Sequence, residues 1–91
     1  RMTGAVQAIM TLRIYTMTHC LTCETTRLLA AQIAERCPWL LVELINIDVA
    51  DVSLPANVFS VPAFMLDGKV IALGNPYLEH LEAAVCHYAA R

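Results

Sequence analysis

The spacing of apolar residues predicts two strands in the first half of the chain. Residues 9–15 (IMTLRIY) place Met10, Leu12 and Ile14 on one face, an alternation typical of a strand with one buried side. Residues 40–47 (LLVELINI) are largely apolar and too few for a typical helix, so we expect a second strand there.

A helix is predicted between these strands. From about residue 21 to residue 36 the pattern turns helical, and Leu29, Ile33 and Cys37 recur at i, i+4 and i+8 on one face. The proline after Cys37 ends the run, because proline cannot continue the helical hydrogen bonds. Thr18 is the expected N-cap of this helix.

A β-hairpin is predicted beyond the second strand. Residues 48–61 form a mixed connector, in which Pro55 favours a turn or a short helical piece over one long helix. Two short apolar runs follow, at residues 63–66 and 70–73. An Asp-Gly dipeptide at 67–68 separates them, and this dipeptide is typical of a two-residue hairpin turn.

A second helix is predicted after the hairpin. The segment Gly74-Asn75-Pro76 offers a break, an N-cap and a proline suited to the first helical position. One apolar stripe at helical spacing follows, formed by Leu78, Leu81, Val85 and Tyr88. The element order is therefore β-α-β-β-β-α. The strand-helix-strand unit gives a parallel pair and the hairpin adds antiparallel strands, so we expect an α/β fold with a four-stranded mixed sheet flanked by helices.

Length and composition favour one domain. The chain has 91 residues and a mass of 10.0 kDa, which leaves no room for a second hydrophobic core. We assign residues 9–91 to the domain and residues 1–8 to an N-terminal extension that is partly disordered or a cloning remnant. Hydrophobic residues make up 58% of the chain and charged residues 15%, which excludes a disordered protein. So few charges leave apolar surface available to a partner.

The sequence argues against membrane and nucleic-acid binding. The mean hydropathy is +0.58, but the longest uncharged stretch, Val52–Leu66, contains two prolines and is shorter than the ~20 residues of a spanning helix. Residues 5–12 are too short and too polar for a signal peptide, so the cytoplasm is the expected location. The net charge is −2 and the six basic residues are scattered singly, so no basic face for nucleic acid is predicted.

A Cys-x-x-Cys motif lies between the first predicted strand and the first helix. Its spacing and position place Cys20 at the helix N-terminus, where free N–H groups and the helix dipole favour a thiolate. In such motifs the thiol pKa falls from ~8.5 to between ~3.5 and ~7.5. Cys23 follows one turn later, within disulfide reach and more buried. Cys20 is therefore the expected attacking thiol and Cys23 the resolving thiol.

On the residues alone, two other uses of the motif stay open. Half of a zinc site would need two further ligands at suitable spacing, and inert structural thiols would need none. The remaining candidate ligands stand on other predicted elements: Cys37, His80, Cys86 and His87. We expect Cys37 and Cys86 to act as small packing residues. Haem attachment would need a histidine where Glu24 follows the motif.

A second feature is Val61-Pro62, just ahead of the predicted hairpin. Taken alone, Pro62 fits an ordinary trans proline at the start of an edge strand. Together with the cysteine motif after a strand and the final helix, however, the chain from about Leu12 to Val85 resembles the thioredoxin-like superfamily. Its size and the segment Ile14-Tyr15-Thr16 are similar to glutaredoxins.

The resemblance implies roles for particular residues. The proline matching Pro62 is cis in that family and lies against the active-site cysteines. The residue matching Val61 offers backbone hydrogen bonds to the substrate chain. The resemblance also implies that Cys20 is the nucleophile and Cys23 the resolver.

The sequence departs from the family pattern at several positions. His19 stands where thioredoxins have a tryptophan, and Ile14 where they have a buried aspartate that accepts the proton of the second thiol. Met17 replaces a lysine with which glutaredoxins contact glutathione, and residues 74–77 (GNPY) lack the aspartate of their Gly-Gly-x-Asp stretch. Both glutathione recognition and coupling to thioredoxin reductase are therefore left open.

The sequence thus predicts a thiol–disulfide oxidoreductase that cycles a Cys20–Cys23 dithiol and disulfide without a cofactor. Its expected substrate is a disulfide-containing protein or a small thiol, and an unidentified thiol donor resets it. The expected substrate-binding residues are His19, Met17, Val61, Pro62 and Gly74. Thr22 is expected to be an ordinary helix-start residue; the alternative is that its hydroxyl donates a hydrogen bond to one of the sulfurs. The alternative is a thioredoxin-like protein-binding module whose cysteine pair is structural or holds a metal.

Overall fold

The computed structural model describes residues 10–49, 55–58 and 60–90. The elements in chain order are β1 (Met10–Thr16), α1 (Cys23–Arg36), β2 (Leu40–Asn46), β3 (Ala63–Leu66), β4 (Lys69–Leu73) and α2 (Leu78–Ala89). One four-stranded sheet has the order β2-β1-β3-β4. β1 pairs parallel with β2 and antiparallel with β3, which pairs antiparallel with β4. The predicted fold class and element order are confirmed, and the expected extension at residues 1–8 lies outside the described residues.

The main core lies between one face of the sheet and both described helices. Leu12 and Ile14 are fully buried, which confirms the face predicted from their alternation. Both helical stripes reach the same core, through Leu29 and Ile33 of α1 and through Leu81 and Val85 of α2. A smaller cluster lies on the opposite face of the sheet, formed by Tyr15, Val58, Ala63 and Met65. The helix pattern read from the sequence therefore identifies residues through which α1 and α2 join the main core.

The predicted hairpin joins β3 to β4. Asp67 and Gly68 have φ values of 47° and 86°, as a type I′ turn requires at both central positions. The turn is also tied to β1, because the Thr11 backbone N–H donates to Asp67 Oδ1 at 2.9 Å and the Asp67 N–H donates to the Thr11 carbonyl at 3.0 Å. The hairpin therefore has a fixed place beside the central strand.

Both predicted N-caps are wrong. The N-cap of α1 is Thr22, while the Thr18 backbone N–H donates to Asp48 Oδ2 at 2.8 Å and holds its loop to the end of β2. The N-cap of α2 is Tyr77, two residues later than Asn75. The side chain of Asn75 does not cap α2, because it is bonded to α1 instead.

Of the predicted connector between β2 and β3, the structure describes only part. Pro55 opens a turn there, in which the Val58 N–H donates to the Pro55 carbonyl at 2.9 Å. Within the described part of the chain, neither helix is long and apolar enough to cross a membrane.

Candidate active site

The two cysteines of the motif are joined in a disulfide, with their Cα atoms 5.2 Å apart. They lie in the turn between β1 and α1, where the Cys23 N–H donates to the Cys20 carbonyl at 3.3 Å. Cys23 is the first residue of α1 and 1% exposed, whereas Cys20 precedes the N-cap and is partly exposed. Cys20 thus stands just before the helix rather than on it, still beside the free N–H groups of its first turn. Of the two sulfurs, an approaching molecule reaches that of Cys20.

Thr22 contributes a hydroxyl to the exposed sulfur. Its Oγ1 atom lies 3.6 Å from Cys20 Sγ, within hydrogen-bond distance for sulfur. Although Thr22 is the N-cap of α1, its side chain makes no capping hydrogen bond. The hydroxyl is therefore free to donate to Cys20, most strongly when that sulfur is a thiolate. The sequence favoured an ordinary helix-start residue over a hydroxyl donor to a sulfur, and the structure shows the hydroxyl beside the sulfur.

A polar contact below the motif ties α1 to the loop after β4. Thr26 is fully buried, and its Oγ1 lies 2.5 Å from Asn75 Oδ1 and 3.1 Å from the Thr22 carbonyl. Asn75 Nδ2 donates to the same carbonyl at 2.9 Å. A hydroxyl has one proton, so the Thr26 hydroxyl donates to Asn75 Oδ1. The Thr22 carbonyl then accepts hydrogen bonds from Asn75 Nδ2 and from the backbone N–H of Thr26. We call Thr22, Thr26 and Asn75 the polar clasp; sequence reasoning missed its role.

The Val61-Pro62 segment reaches the same region through the backbone. The Val61–Pro62 peptide bond is cis, and Pro62 is buried. The Gly74 N–H donates to the Pro62 carbonyl at 2.7 Å. Gly74 has a φ of 86°, which favours glycine, and Asn75 of the polar clasp follows it directly. A continuous series of bonds thus runs from Pro62 through Gly74 to the turn that holds the cysteines.

Met17 and His19 lie in the loop that leads from β1 to Cys20. Met17 is half-buried and His19 is exposed. Thr18, between them, is held by Asp48 and accepts a 3.4 Å hydrogen bond from Asn46 Nδ2 at its Oγ1. The structure therefore places both residues on an anchored loop next to the disulfide, and their contact with substrate stays a prediction.

Exposed apolar side chains occur in the cysteine motif and around the loop that is bonded to it. Leu21, between the two cysteines, is fully exposed. Leu73 and Tyr77 are 42% and 75% exposed and flank the segment that carries Asn75 of the polar clasp. Apolar side chains this exposed are a surface for another molecule more than for the core.

The described residues contain few polar groups inside the protein. Thr16 and Thr26 are the only buried polar side chains in residues 10–49, 55–58 and 60–90, and Ile14 is fully buried. No group of three His, Cys, Asp or Glu side chains in these ranges is arranged to hold a metal ion. What the site offers chemically is one accessible sulfur, one shielded sulfur and a hydroxyl donor.

Comparison with known proteins agrees with this geometry. A family model described as a thioredoxin domain matches residues 10–85. The structure is similar to oxidised thioredoxin from Plasmodium falciparum, with 18% identity, a TM-score of 0.69, and coverage of 93% of this chain and 86% of that one. It is also similar to oxidised mitochondrial thioredoxin 3 from Saccharomyces cerevisiae, with 19% identity, a TM-score of 0.71, and coverage of 91% and 82%. At these identities the structures support the fold, and the finer resemblance to glutaredoxins stays a prediction. No curated protein matches the chain significantly.

Proposed function

Because this chain belongs to the thioredoxin domain family, we propose that it is a thiol–disulfide oxidoreductase that works through Cys20 and Cys23. Family membership and the disulfide itself support a redox role in general. The observation that supports the finer proposal is the unequal exposure of the two sulfurs. Cys20 is reached from solvent, whereas Cys23 is 1% exposed and acts only on what is bonded to Cys20.

The proposed cycle has two exchange steps. In the first, the Cys20 thiolate attacks a substrate disulfide, forms a mixed disulfide and releases one substrate sulfur as a thiolate. In the second, Cys23 gives up its proton and attacks Cys20 Sγ, which releases the other substrate sulfur. The substrate gains two electrons and takes up two protons as two thiols, and the protein is left with the Cys20–Cys23 disulfide. A thiol donor of unidentified structure reverses this change.

Local groups favour the thiolate form of Cys20. The free N–H groups at the start of α1 lie beside it, and the helix dipole favours a negative charge there. The Thr22 hydroxyl, 3.6 Å from the sulfur, adds a donor. A nucleophilic thiol needs such an environment, because the thiolate and not the thiol is the attacking species.

Substrate binding is proposed at the surface around Cys20. The backbone of Val61 would hold an extended chain beside Pro62, while Met17, His19 and Gly74 line the approach. The exposed side chain of Leu21 favours a substrate with apolar groups next to its disulfide. A disulfide-containing protein fits this surface better than a small polar thiol.

A redox titration tests the proposal. The protein is equilibrated in dithiol–disulfide buffers, its thiols are trapped, and each bond is located by mass spectrometry. We expect a reversible Cys20–Cys23 disulfide with a midpoint between roughly −270 and −120 mV, the range of working oxidoreductases. A pair that never forms reversibly, or forms only after a metal is removed, would contradict the proposal.

Two matched variants test the separate roles. With a disulfide-containing substrate, Cys23→Ser should accumulate a mixed disulfide on Cys20, because the resolving thiol is missing. Cys20→Ser should form no such adduct and should lose dithiol–disulfide exchange. Retained exchange in Cys20→Ser would show that the assignment of the nucleophile is wrong.

The exposed Leu21 also suits the alternative function, a protein-binding module with a structural or metal-holding cysteine pair. In that case, alkylation of the reduced Cys20 and Cys23 leaves partner binding unchanged, and the metal version predicts zinc in the purified protein. If alkylation abolishes exchange with a substrate and elemental analysis finds no zinc, the enzyme is the better description.

A further inference from the structure

A second pair of cysteines lies where the end of α1 packs against α2. Cys37 is the C-cap of α1 and 2% exposed, and it packs in the same core cluster as Val85. Cys86 follows Val85 on α2 and is exposed. The end of α1 is joined to α2 beside them, because Arg36 Nη1 lies 2.8 Å from Glu82 Oε1, one helical turn before Cys86. The Cys86 side chain is close enough to the Cys37 thiol to raise its pKa.

The surroundings of the two thiols give them different reactivity. Burial first, and then the neighbouring Cys86 thiol and the Glu82 carboxylate, raise the pKa of Cys37 above its ordinary value of 9.0, although Arg36 opposes them. Cys37 is therefore a protonated, shielded thiol at neutral pH. Cys86 meets solvent, so it is the thiol that an external reagent encounters first.

We propose that Cys37 and Cys86 form a second redox-active pair, whose substrate is a low-molecular-weight disulfide such as oxidised glutathione. The Cys86 thiolate attacks the small disulfide, breaks its S–S bond and releases one small thiolate. Cys37 then attacks Cys86 Sγ, releases the second small thiolate and closes the Cys37–Cys86 disulfide. The protons of the two cysteines pass to the released thiolates, and two electrons pass from the protein to the small disulfide. An excess of the small thiol reverses both steps.

This second pair works separately from Cys20 and Cys23. The 14 residues of α1 separate the two pairs, a distance of about 20 Å at the helical rise per residue. Thiol–disulfide exchange needs direct contact between sulfurs, so the two pairs within one molecule do not exchange with each other. The inference therefore stands even if the function proposed for Cys20 and Cys23 fails.

Closing the second disulfide should stabilise the fold. The bond would connect residues roughly 50 positions apart, and a loop of that length restricts the unfolded chain considerably. We expect the midpoint of thermal unfolding to rise by roughly 10 °C or more, since even a small gain in the free energy of unfolding shifts the midpoint of so small a domain by several degrees.

The test uses the full chain with Cys20→Ser and Cys23→Ser, which leaves only the second pair. The protein is incubated with oxidised glutathione, alkylated and digested with trypsin, which cleaves after Lys69 and so separates Cys37 from Cys86. We expect a disulfide-linked pair of peptides that disappears on reduction. A glutathione adduct that persists on Cys86 with Cys37 alkylated would overturn the proposal, and so would two unreacted thiols.

Two single replacements in the same background serve as controls. Cys86→Ser, at an exposed position, should abolish both the linked peptides and any adduct, and should leave Cys37 unreactive. Cys37→Ala should accumulate the glutathione adduct on Cys86, because the resolving thiol is gone. The wild-type protein with its Cys20–Cys23 disulfide intact should give the same linked peptides, which guards against an effect of the serine background on folding.

Discussion

Replacing Thr26 with valine is the most direct test of the polar clasp. Thr26 is fully buried, and valine matches its shape, so the change removes a hydroxyl without opening a cavity. Asn75 Oδ1 then loses the donor that lies 2.5 Å away, while Asn75 Nδ2 keeps its bond to the Thr22 carbonyl. The perturbation is therefore confined to one hydrogen bond between α1 and the loop after β4.

The loss of stability in Thr26→Val depends on how deeply Asn75, which is left without its donor, is buried. An unsatisfied buried acceptor costs about 1–3 kcal/mol, and Asn75 is half-buried, so water can reach part of it. We expect a loss of about 1–2 kcal/mol of the free energy of unfolding. For a domain of this size, that lowers the thermal midpoint by about 4–16 °C.

Unfolding of the oxidised protein by heat and by urea, followed by circular dichroism, measures this loss. The matched control is Thr25→Val, the same substitution one residue earlier on the exposed side of α1, which should change stability by less than about 0.5 kcal/mol. A double-mutant cycle with Asn75→Ala should give a coupling energy of about 1 kcal/mol between positions 26 and 75. Strictly additive losses, or equal losses in Thr26→Val and Thr25→Val, would refute the clasp.

Three further predictions concern the fold. Gly68→Ala should cost about 1–2 kcal/mol in urea unfolding, because the φ of 86° in the hairpin turn disfavours a side chain. Phe64→Ala should cost about 3–5 kcal/mol in the same assay, because Phe64 is fully buried in the main core. Burial first, then Cys86 and Glu82, raise the pKa of Cys37 in the folded protein above its ordinary value of 9.0. The folded state therefore favours the neutral thiol, and this contribution to the free energy of unfolding is complete below about pH 9. It is lost as the pH rises through the pKa of Cys37 in the folded protein. Urea unfolding of reduced protein at neutral pH and near pH 10 should show this loss, and Cys37→Ala should remove it.

The parts of the fold with a local signal were predictable from the sequence. The sequence signal for the hairpin turn lies in two adjacent residues, Asp67 and Gly68, and β3 has the predicted bounds, Ala63–Leu66. The helix starts depend on distant partners and could not be predicted in the same way. Thr18 binds Asp48, 30 residues away, and Asn75 binds Thr22, 53 residues away. A side chain that resembles a local cap is used elsewhere when the fold brings it a better partner.

In the candidate site, too, features with a local sequence signal were predictable and those that depend on a distant partner were not. The spacing of Cys20 and Cys23 predicts that a disulfide between them is possible, because a separation of three positions in a turn brings two sulfurs within reach. Thr26 was missed, although the sequence contains a signal for it: a residue three before Leu29 falls on the buried face of α1. A polar residue on an otherwise apolar helical face requires a buried partner. Periodicity alone does not say that this partner is Asn75.

The burial of Ile14 has a consequence for the resolving step that we propose at Cys23. In thioredoxins the position that matches Ile14 holds an aspartate that accepts the proton of the second thiol, whereas here the only buried polar side chains among the described residues are Thr16 and Thr26. A hydroxyl is a far weaker base than a carboxylate, so in the proposed cycle the proton of Cys23 passes to water or to the departing substrate thiolate. The experiment starts from protein that already carries the mixed disulfide on Cys20. We expect the rate at which Cys23 releases the substrate thiol to depend on pH through a single ionisation, that of Cys23 itself.

Stopped-flow measurement of thiol release across the pH range checks this, and a second ionisation in the profile would contradict it. Ile14→Asp is the complementary variant. It should add a second ionisation to the profile, and it should also lower stability, because a carboxyl group at a fully buried position lacks a hydrogen-bonding partner in the wild-type surroundings. The apolar core around β1 and a buried proton acceptor for Cys23 are thus alternatives at this position, and this chain has the apolar core.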